Sequence, residues 1–509
     1  VKATAPRELA NGSTATQTSV DMVSNLIVHG DPNDISLVSA GRDILYGNFT
    51  VAGPGLLEVT AGRNLLQEDK AALNSIGPIT ATLHKDGRRA DGAGITVAAG
   101  VGAAGADYAG FAQRYLDPAN QAETGIPLAE QTGKVAKTYQ GELTEWLAER
   151  FGFAGAAEEA KAYFLALPAE QQRIFLRQIY FAELKASGRE YTDANDPRSG
   201  SYLRGRQAIA LLFPEADAQG RPLSYRGDVL IYGDAGIQTQ FGGDIQVLTP
   251  GGGQTYGREG EAPPAKLGTP GVITLGAGDI QMYALDSILL GQSRIMTTFG
   301  GAIQAWSAEG DINAGRGSKT TLVYTPPKRE YDAWGNVTLS PQVPSTGAGI
   351  ATLNPIPEVP PGDIDLIAPL GTIDAGEAGI RFSGNLNIAA LQVVNAANIV
   401  GQGKATGIPM TAAVNVGALT SASQAAGSAV QAAEQVSRQA QRNQPSVISV
   451  EVLGYGNERL EAGGTAGAAS SAVPVSYNYG SQVQVLGAGP LSPQSRRQLT
   501  PEEQRKLSM

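Results

Sequence analysis

A chain of 509 residues is too long for one ordinary core, and 65 Gly with only 6 % aromatic residues suit many turns and small inward side chains better than a bulky interior. A formal net charge of −10, with no long basic run before the last few residues, disfavours nucleic acid as a partner. The absence of Cys excludes disulfides, thiolate metal sites and thiol catalysis, and no run of 18 apolar residues offers a transmembrane helix.

Residues 1–112 carry short apolar runs beside Gly, Asp or Asn, such as Asn25-Leu26-Ile27-Val28, Gly41-Arg42-Asp43-Ile44 and Gly62-Arg63-Asn64-Leu65, and these read as strands of stacked coils. The chain begins at Val1 rather than Met and no signal peptide is read in it, which suggests a fragment or a processed product. From about Tyr115 to Pro214 helical spacing takes over, so residues 113–222 are expected to be an α-helical insertion with helices over 144–151, 156–167 and 168–187. In the third of these Phe175, Leu176, Ile179 and Ala182 share a face, leaving Arg173, Arg177 and Lys185 towards water. Trp146, Arg173, Arg177 and Tyr180 are of the types enriched at interfaces and form the candidate interaction surface. Ordinary burial statistics weigh against it, placing most of the aromatics inside the bundle or against the coils.

Between Arg226 and Ala314 the sequence nearly repeats at an offset of 58 residues, Asp228 falling on Asp286 and Gln246 on Gln304. Within it Gly243-Asp244-Ile245, Gly278-Asp279-Ile280 and Gly310-Asp311-Ile312 recur as corner and strand, and Gly362-Asp363-Ile364 restarts the pattern. Units this short cannot bury a face alone, so they must stack on one another, which predicts an all-β fold of the β-solenoid type. Three coils of roughly 19 residues would fill the offset, each advancing about 4.8 Å. The coils of 223–402 are interrupted by Pro- and Gly-rich loops at 251–270 and 325–361, with Asn398-Ile399-Val400 the last clear member. Residues 403–509 are expected to hold a polar helix over 428–442, a strand over 446–452 and a tail in which Thr500 caps a short turn.

The corner residues Asp228, Gly243, Asp244, Gly278, Asp279, Gly310, Asp311, Gly362 and Asp363 are assigned a structural role. Short carboxylates accept backbone N–H groups in turns, and recurrence at equivalent places fits that use better than a catalytic pair, which would belong to one or two coils, or a calcium site needing six to eight oxygens. Gly100-Val101-Gly102-Ala103-Ala104-Gly105, with Glu123 further on, matches a dinucleotide fingerprint, but no alternating strand and helix series follows it, so it reads as an exit from the coils. His29 and His84 are the only histidines and neither adjoins a nucleophile motif. No catalytic residue, cofactor or metal site is assigned.

The Gly-Asp-Ile units interrupted by a charged helical insertion, above all Gly362-Asp363-Ile364-Asp365-Leu366-Ile367-Ala368 and Pro445-Ser446-Val447-Ile448-Ser449-Val450, resemble the filamentous haemagglutinin-like exoproteins of bacterial two-partner secretion, in the C-terminal region of their large members. The resemblance implies a right-handed parallel β-helix, export through an outer-membrane two-partner secretion transporter, and a secreted or cell-surface fibre. Its partner would be a host or bacterial surface receptor or polysaccharide, in adhesion, biofilm cohesion or cell contact. A rival is a polysaccharide-binding or polysaccharide-degrading β-helix, which would need clustered Asp and exposed Tyr or Trp on one wall. A third reading is a scaffold that multimerises through residues 403–509.

Overall fold

Alternation of period two gives each Gly-Asp-Ile run one row of side chains facing in and one facing out. The computed structural model describes residues 26–68, 71–77, 92–258, 271–317, 347–354 and 357–409, with the backbone of four short strands outside those ranges. His84, the helix expected at 428–442, the strand at 446–452 and the tail lie outside the described residues.

Strands recur three to a coil. Leu26–Val28, Ile35–Ala40 and Ile44–Leu45 are followed by Phe49–Ala52, Leu56–Ala61 and Leu65–Gln67, then by Ala72–Ser75, Gly94–Ala99 and Val229–Ile231. The series continues through Gly236–Thr239, Ile245–Thr249 and Gln254–Tyr256, then Gly271–Thr274, Ile280–Ala284 and Ile288–Leu290. Each strand pairs in parallel with its counterpart in the neighbouring coils, so the three places form a first, a second and a third wall. The long strand Ile364–Asp374 belongs to both the second and third walls and joins them into one sheet. The fold is strand-rich, with parallel, solenoid-like sheets.

The core runs the length of the stack. On the second wall Leu57, Ile95, Ile245, Ile280, Ile303, Ile364 and Leu386 lie in register, all buried. Each such side chain removed from water contributes about 1.5–3 kcal/mol, so a column of them replaces the single interior that a chain this long lacks.

Three expectations need correction. The 58-residue offset holds two coils, not three: Gln246 stacks on Gln281, 35 residues on, and Asp279 on Ala302, 23 further on. Register binds only the strands, so a coil can lengthen at its corners without disturbing the column. For the same reason the segments expected to be loops contain wall strands, Gln254–Tyr256 and Gly349–Thr352, and the coils continue past Val400 to Ala405–Thr406, which pairs with Leu386 and Asn387.

Among the described residues the α-helices are α1 (Tyr108–Tyr115), α2 (Gln140–Phe151), α3 (Ala157–Ala166), α4 (Ala169–Thr192) and α5 (Leu203–Leu212). Asp107 caps α1 by accepting the Gly110 N–H at 2.8 Å, and Gly152, at φ 66°, ends α2. Pro168 sits at the cap of α4 rather than inside its first turn. α1 starts ahead of residue 113, and α1 and α5 lie outside the three helices that the spacing predicts. All five lie between the second and third strands of one coil, since Gly94–Ala99 and Val229–Ile231 each stack on the coil before and the coil after. The exit and the return touch: a Cβ on Gly100 would stand 2.7 Å from the Gly227 carbonyl, and one on Gly102 2.7 Å from that of Ser224. Backbone this close, at positive φ, accounts for Gly100 and Gly102, and positive φ alone for Gly105.

Candidate functional site

The outward side of the second wall presents two rows. One reads Glu58, Thr96, Gln246, Gln281, Gln304, Asp365 and Asn387 in register; the other reads Ala98, Leu248, Tyr283, Trp306, Ile367 and Ala389. An outward row of Leu, Tyr, Trp and Ile would be a liability in water. The helical insertion covers it.

α4 lies along the polar row. Arg173 and Arg177 each reach Glu58 at 3.0 Å, and Arg177 Nε donates to Gln246 Oε1 at 3.0 Å. Gln304 Nε2 donates to the Phe181 carbonyl at 2.9 Å, Arg189 makes two bonds to Asp365 at 2.8 and 2.9 Å, and Thr192 Oγ1 meets Asn387 Oδ1 at 2.6 Å. The spacing explains why the contacts hold from end to end. Arg173 to Thr192 rises about 28 Å at 1.5 Å per residue, and the six coil steps from Glu58 to Asn387 advance about 29 Å.

The second row is packed by the other helices and by the far side of α4. Phe213 stacks on Tyr283 with centroids 5.9 Å apart, Tyr180 meets Tyr283 edge-on at 5.6 Å, and Tyr202 meets Trp306 at 6.0 Å. Gly188 and Gly205 allow this approach, since a Cβ on Gly188 would strike Ile367 and one on Gly205 would come 2.5 Å from the Trp306 ring. Behind the interface Glu183 accepts from Arg204 at 2.6 and 3.0 Å and from Tyr139 Oη at 2.6 Å, and Glu190 accepts from Arg198 and Arg204. Burial alone would lower the Arg204 pKa, but Glu183 and Glu190 outweigh it and raise it; burial and Glu183 together push Tyr139 up.

Of the four candidate surface residues, Arg177 and Tyr180 do not face water at all, being 2 % and 0 % exposed. Helical periodicity places Arg177 towards solvent because it reports only which side of a helix is apolar, whereas here the opposite side meets a wall. Ala182, expected in the core row, is exposed. Trp146 is half-buried among Phe151, Phe164 and Phe175, with the Arg150 guanidinium over its ring, and Arg173 is half-buried on Glu58.

The corner carboxylates point along the stack. Asp228 Oδ1 accepts from Gly253 N at 2.8 Å, Asp244 from Asp279 N at 2.8 Å, Asp279 from Ala302 N at 2.7 Å, Asp311 from Thr372 N at 2.7 Å and Asp363 from Asn385 N at 2.8 Å. Each donor lies in the next coil. Burial works against the Asp363 charge, but the Asn385 N–H and Arg189 hold its pKa below the usual range. Asp43 shows the same use in the first coil: Arg63 binds it at 2.8 Å and Asn64 N donates at 3.0 Å, which holds its carboxyl pKa at about 2. The corner glycines answer to the same stacking, a Cβ on Gly243, Gly278, Gly310 or Gly362 meeting the backbone of the adjacent coil. Among the described residues no group of three or more His, Asp or Glu could hold a metal ion. His29 is buried, its Nδ1 2.7 Å from the Pro54 carbonyl and its Nε2 2.8 Å from Ser36 Oγ.

A cleft of about 370 Å³ opens where α2 and α4 overhang the glycine corners of the second wall, between Arg150, Gln178 and Thr96.

Residues 300–410 match the family described as filamentous haemagglutinin family outer membrane protein. Over this stretch the chain is similar to the filamentous haemagglutinin family. The stretch that matches this haemagglutinin family contains the corners Gly310, Asp311, Gly362 and Asp363 and the rows at Gln304, Asp365 and Asn387 that receive the second half of α4; the insertion itself lies outside it. Neither a curated protein nor a solved structure matches the chain.

Proposed function

We propose that this chain is a structural and adhesive segment of a secreted or surface-displayed bacterial exoprotein, built as a right-handed parallel β-helix and without catalysis. The reading divides it into coils over 1–112, the helical insertion over 113–222, coils over 223–402 and a C-terminal region over 403–509. What carries it is the conjunction of parallel pairing that runs wall by wall from Leu26 to Thr406 with the filamentous haemagglutinin match in its last coils. The corner residues from Asp228 to Asp363 serve as fasteners between coils, and Trp146 and Arg173 keep a share of their surface for contact. Among the described residues no helix is long and apolar enough to cross a membrane. An outer-membrane two-partner secretion transporter would carry the chain out, and a surface receptor or polysaccharide would be its target.

A column of paired strands resists bending because every coil is hydrogen-bonded to two neighbours. Beads coated with the chain should bind bacterial or host cells saturably, in competition with the free chain. No saturable binding to any surface would remove the adhesive reading.

A further inference from the structure

The cleft beneath α2 and α4 is unlike the rest of the docked interface, where cations meet carboxylates directly. Arg150 is half-buried at its mouth, with Nη2 on the Pro32 carbonyl at 2.7 Å and the guanidinium over Trp146, and no carboxylate among the described residues lies within ion-pairing distance. Its Nε is buried without a partner. Burial lowers its pKa, opposed only through space by Asp31. Beside it Gln178 is exposed, Thr96 and Gln246 form the floor with Thr96 Oγ1 donating to Gln246 Oε1 at 3.2 Å, Arg177 and the corner carboxylate Asp244 also line the cleft, and Pro54 and Leu56 give one apolar side. The volume suits a small ligand. The exposed Gln178 amide is a partner for a sugar hydroxyl, and the Arg150 guanidinium, without a carboxylate at ion-pairing distance, is a partner for a carboxylate.

We propose that this cleft binds an acidic sugar residue, with Arg150 taking the carboxylate and the exposed Gln178 amide a ring hydroxyl. The proposal deepens the attachment reading and relies on it for its biological use, but binding of a single sugar is measured without it.

The test uses the full chain, titrated by ligand-observed NMR with methyl β-glucuronide, methyl β-glucoside, acetate and a short poly-glutamate peptide. The glucuronide should bind about tenfold or more tightly than the glucoside, and acetate more weakly than the glucuronide. Arg150→Gln should lose about tenfold or more of that affinity. Gln178→Glu, at an exposed position whose change leaves the packing alone, should weaken it too by placing a like charge at the mouth. Arg221→Gln, on an exposed residue paired with Asp217, should bind as the parent does. Equal affinity for glucuronide and glucoside, binding unchanged in both cleft variants, or a preference for the peptide would overturn the proposal. Coated beads that still attach through a cleft with no sugar affinity would discard the site and keep the adhesive function; sugar binding without attachment would do the reverse.

Discussion

On the second wall six of the seven outward polar residues, Glu58, Thr96, Gln246, Gln304, Asp365 and Asn387, are buried, and Gln281 is half-buried. On the third wall the outward row runs Leu45, Leu66, Leu230, Thr255, Leu289, Asn313 and Asp374, and Leu45 and Leu289 are 53 % and 39 % exposed. Polar residues are hidden and apolar ones wet, the opposite of the usual distribution. The strands themselves are alike, paired in parallel and packed on the same inner column. What differs is that one wall carries the five helices. Outward burial is therefore a property of the insertion, and the polar row is tolerable only because α4 supplies a cation, a backbone carbonyl or a hydroxyl at nearly every step.

Excising residues 101–226 and closing the gap with a few Gly and Ser residues breaks that dependence most severely. The ends already touch, so the coil can close. Leu248, Tyr283, Trp306 and Ile367 would then be exposed as one continuous stripe, and most of the protein should leave the monomer peak in size-exclusion chromatography with light scattering. The same excision with all four changed to Thr should return to monomer with its β-rich far-ultraviolet spectrum intact. If the unmodified excision stays monomeric, the stripe is not what the insertion protects.

Removing one partner from the buried charge pairs comes next. Glu58→Leu leaves Arg177 buried with no anion, and should cost about 3 kcal/mol in urea unfolding. Adding Arg177→Met should recover most of that loss, because two apolar side chains need no mutual charge. Full recovery would mean that the pair fixes the register of α4 on the wall rather than adding stability.

Much of the stack could be read from the chain, because Gly-Asp-Ile units announce both the corner and the inward Ile. Coil length could not: Ile245 and Ile280 belong to successive coils despite the long segment between them, since an extra loop leaves no mark on the strand pattern. The docking wall was half-legible. Ile245-Gln246-Val247-Leu248-Thr249, Ile280-Gln281-Met282-Tyr283-Ala284, Ile303-Gln304-Ala305-Trp306-Ser307 and Ile364-Asp365-Leu366-Ile367-Ala368 all place a bulky apolar residue in the fourth, outward position, which is the sign of a covered face. The helix that covers it gave no such sign, because a helix meeting the bundle with one side and a wall with the other shows no polar face of the ordinary kind; Arg177 then looks like a surface residue.

A smaller effect follows from close packing. Gly188→Ala and Gly205→Ala should each cost about 1–3 kcal/mol by pressing α4 or α5 away from Ile367 or Trp306. Pairing Gly188→Ala with Ile367→Val should recover part of it, whereas Gly141→Ala, on the exposed side of α2 with nothing within 4 Å, should be neutral or slightly stabilising.

The smallest expected effect separates the corners from the docked wall, because it depends on the coils alone. Asp43 has a carboxyl pKa lowered from 3.8 to about 2 by Arg63 and the Asn64 N–H. A carboxylate whose pKa is depressed on folding adds stability above its unfolded pKa, and that contribution disappears as pH falls from about 4 to about 2. Arg63 is 48 % exposed, so solvent screening keeps the contribution near 1 kcal/mol. Asp43→Asn should therefore lower stability by about that much at pH 7, and the difference from the parent should vanish near pH 2. A difference that persisted unchanged at low pH would show that the corner depends on the shape of the side chain rather than on its charge.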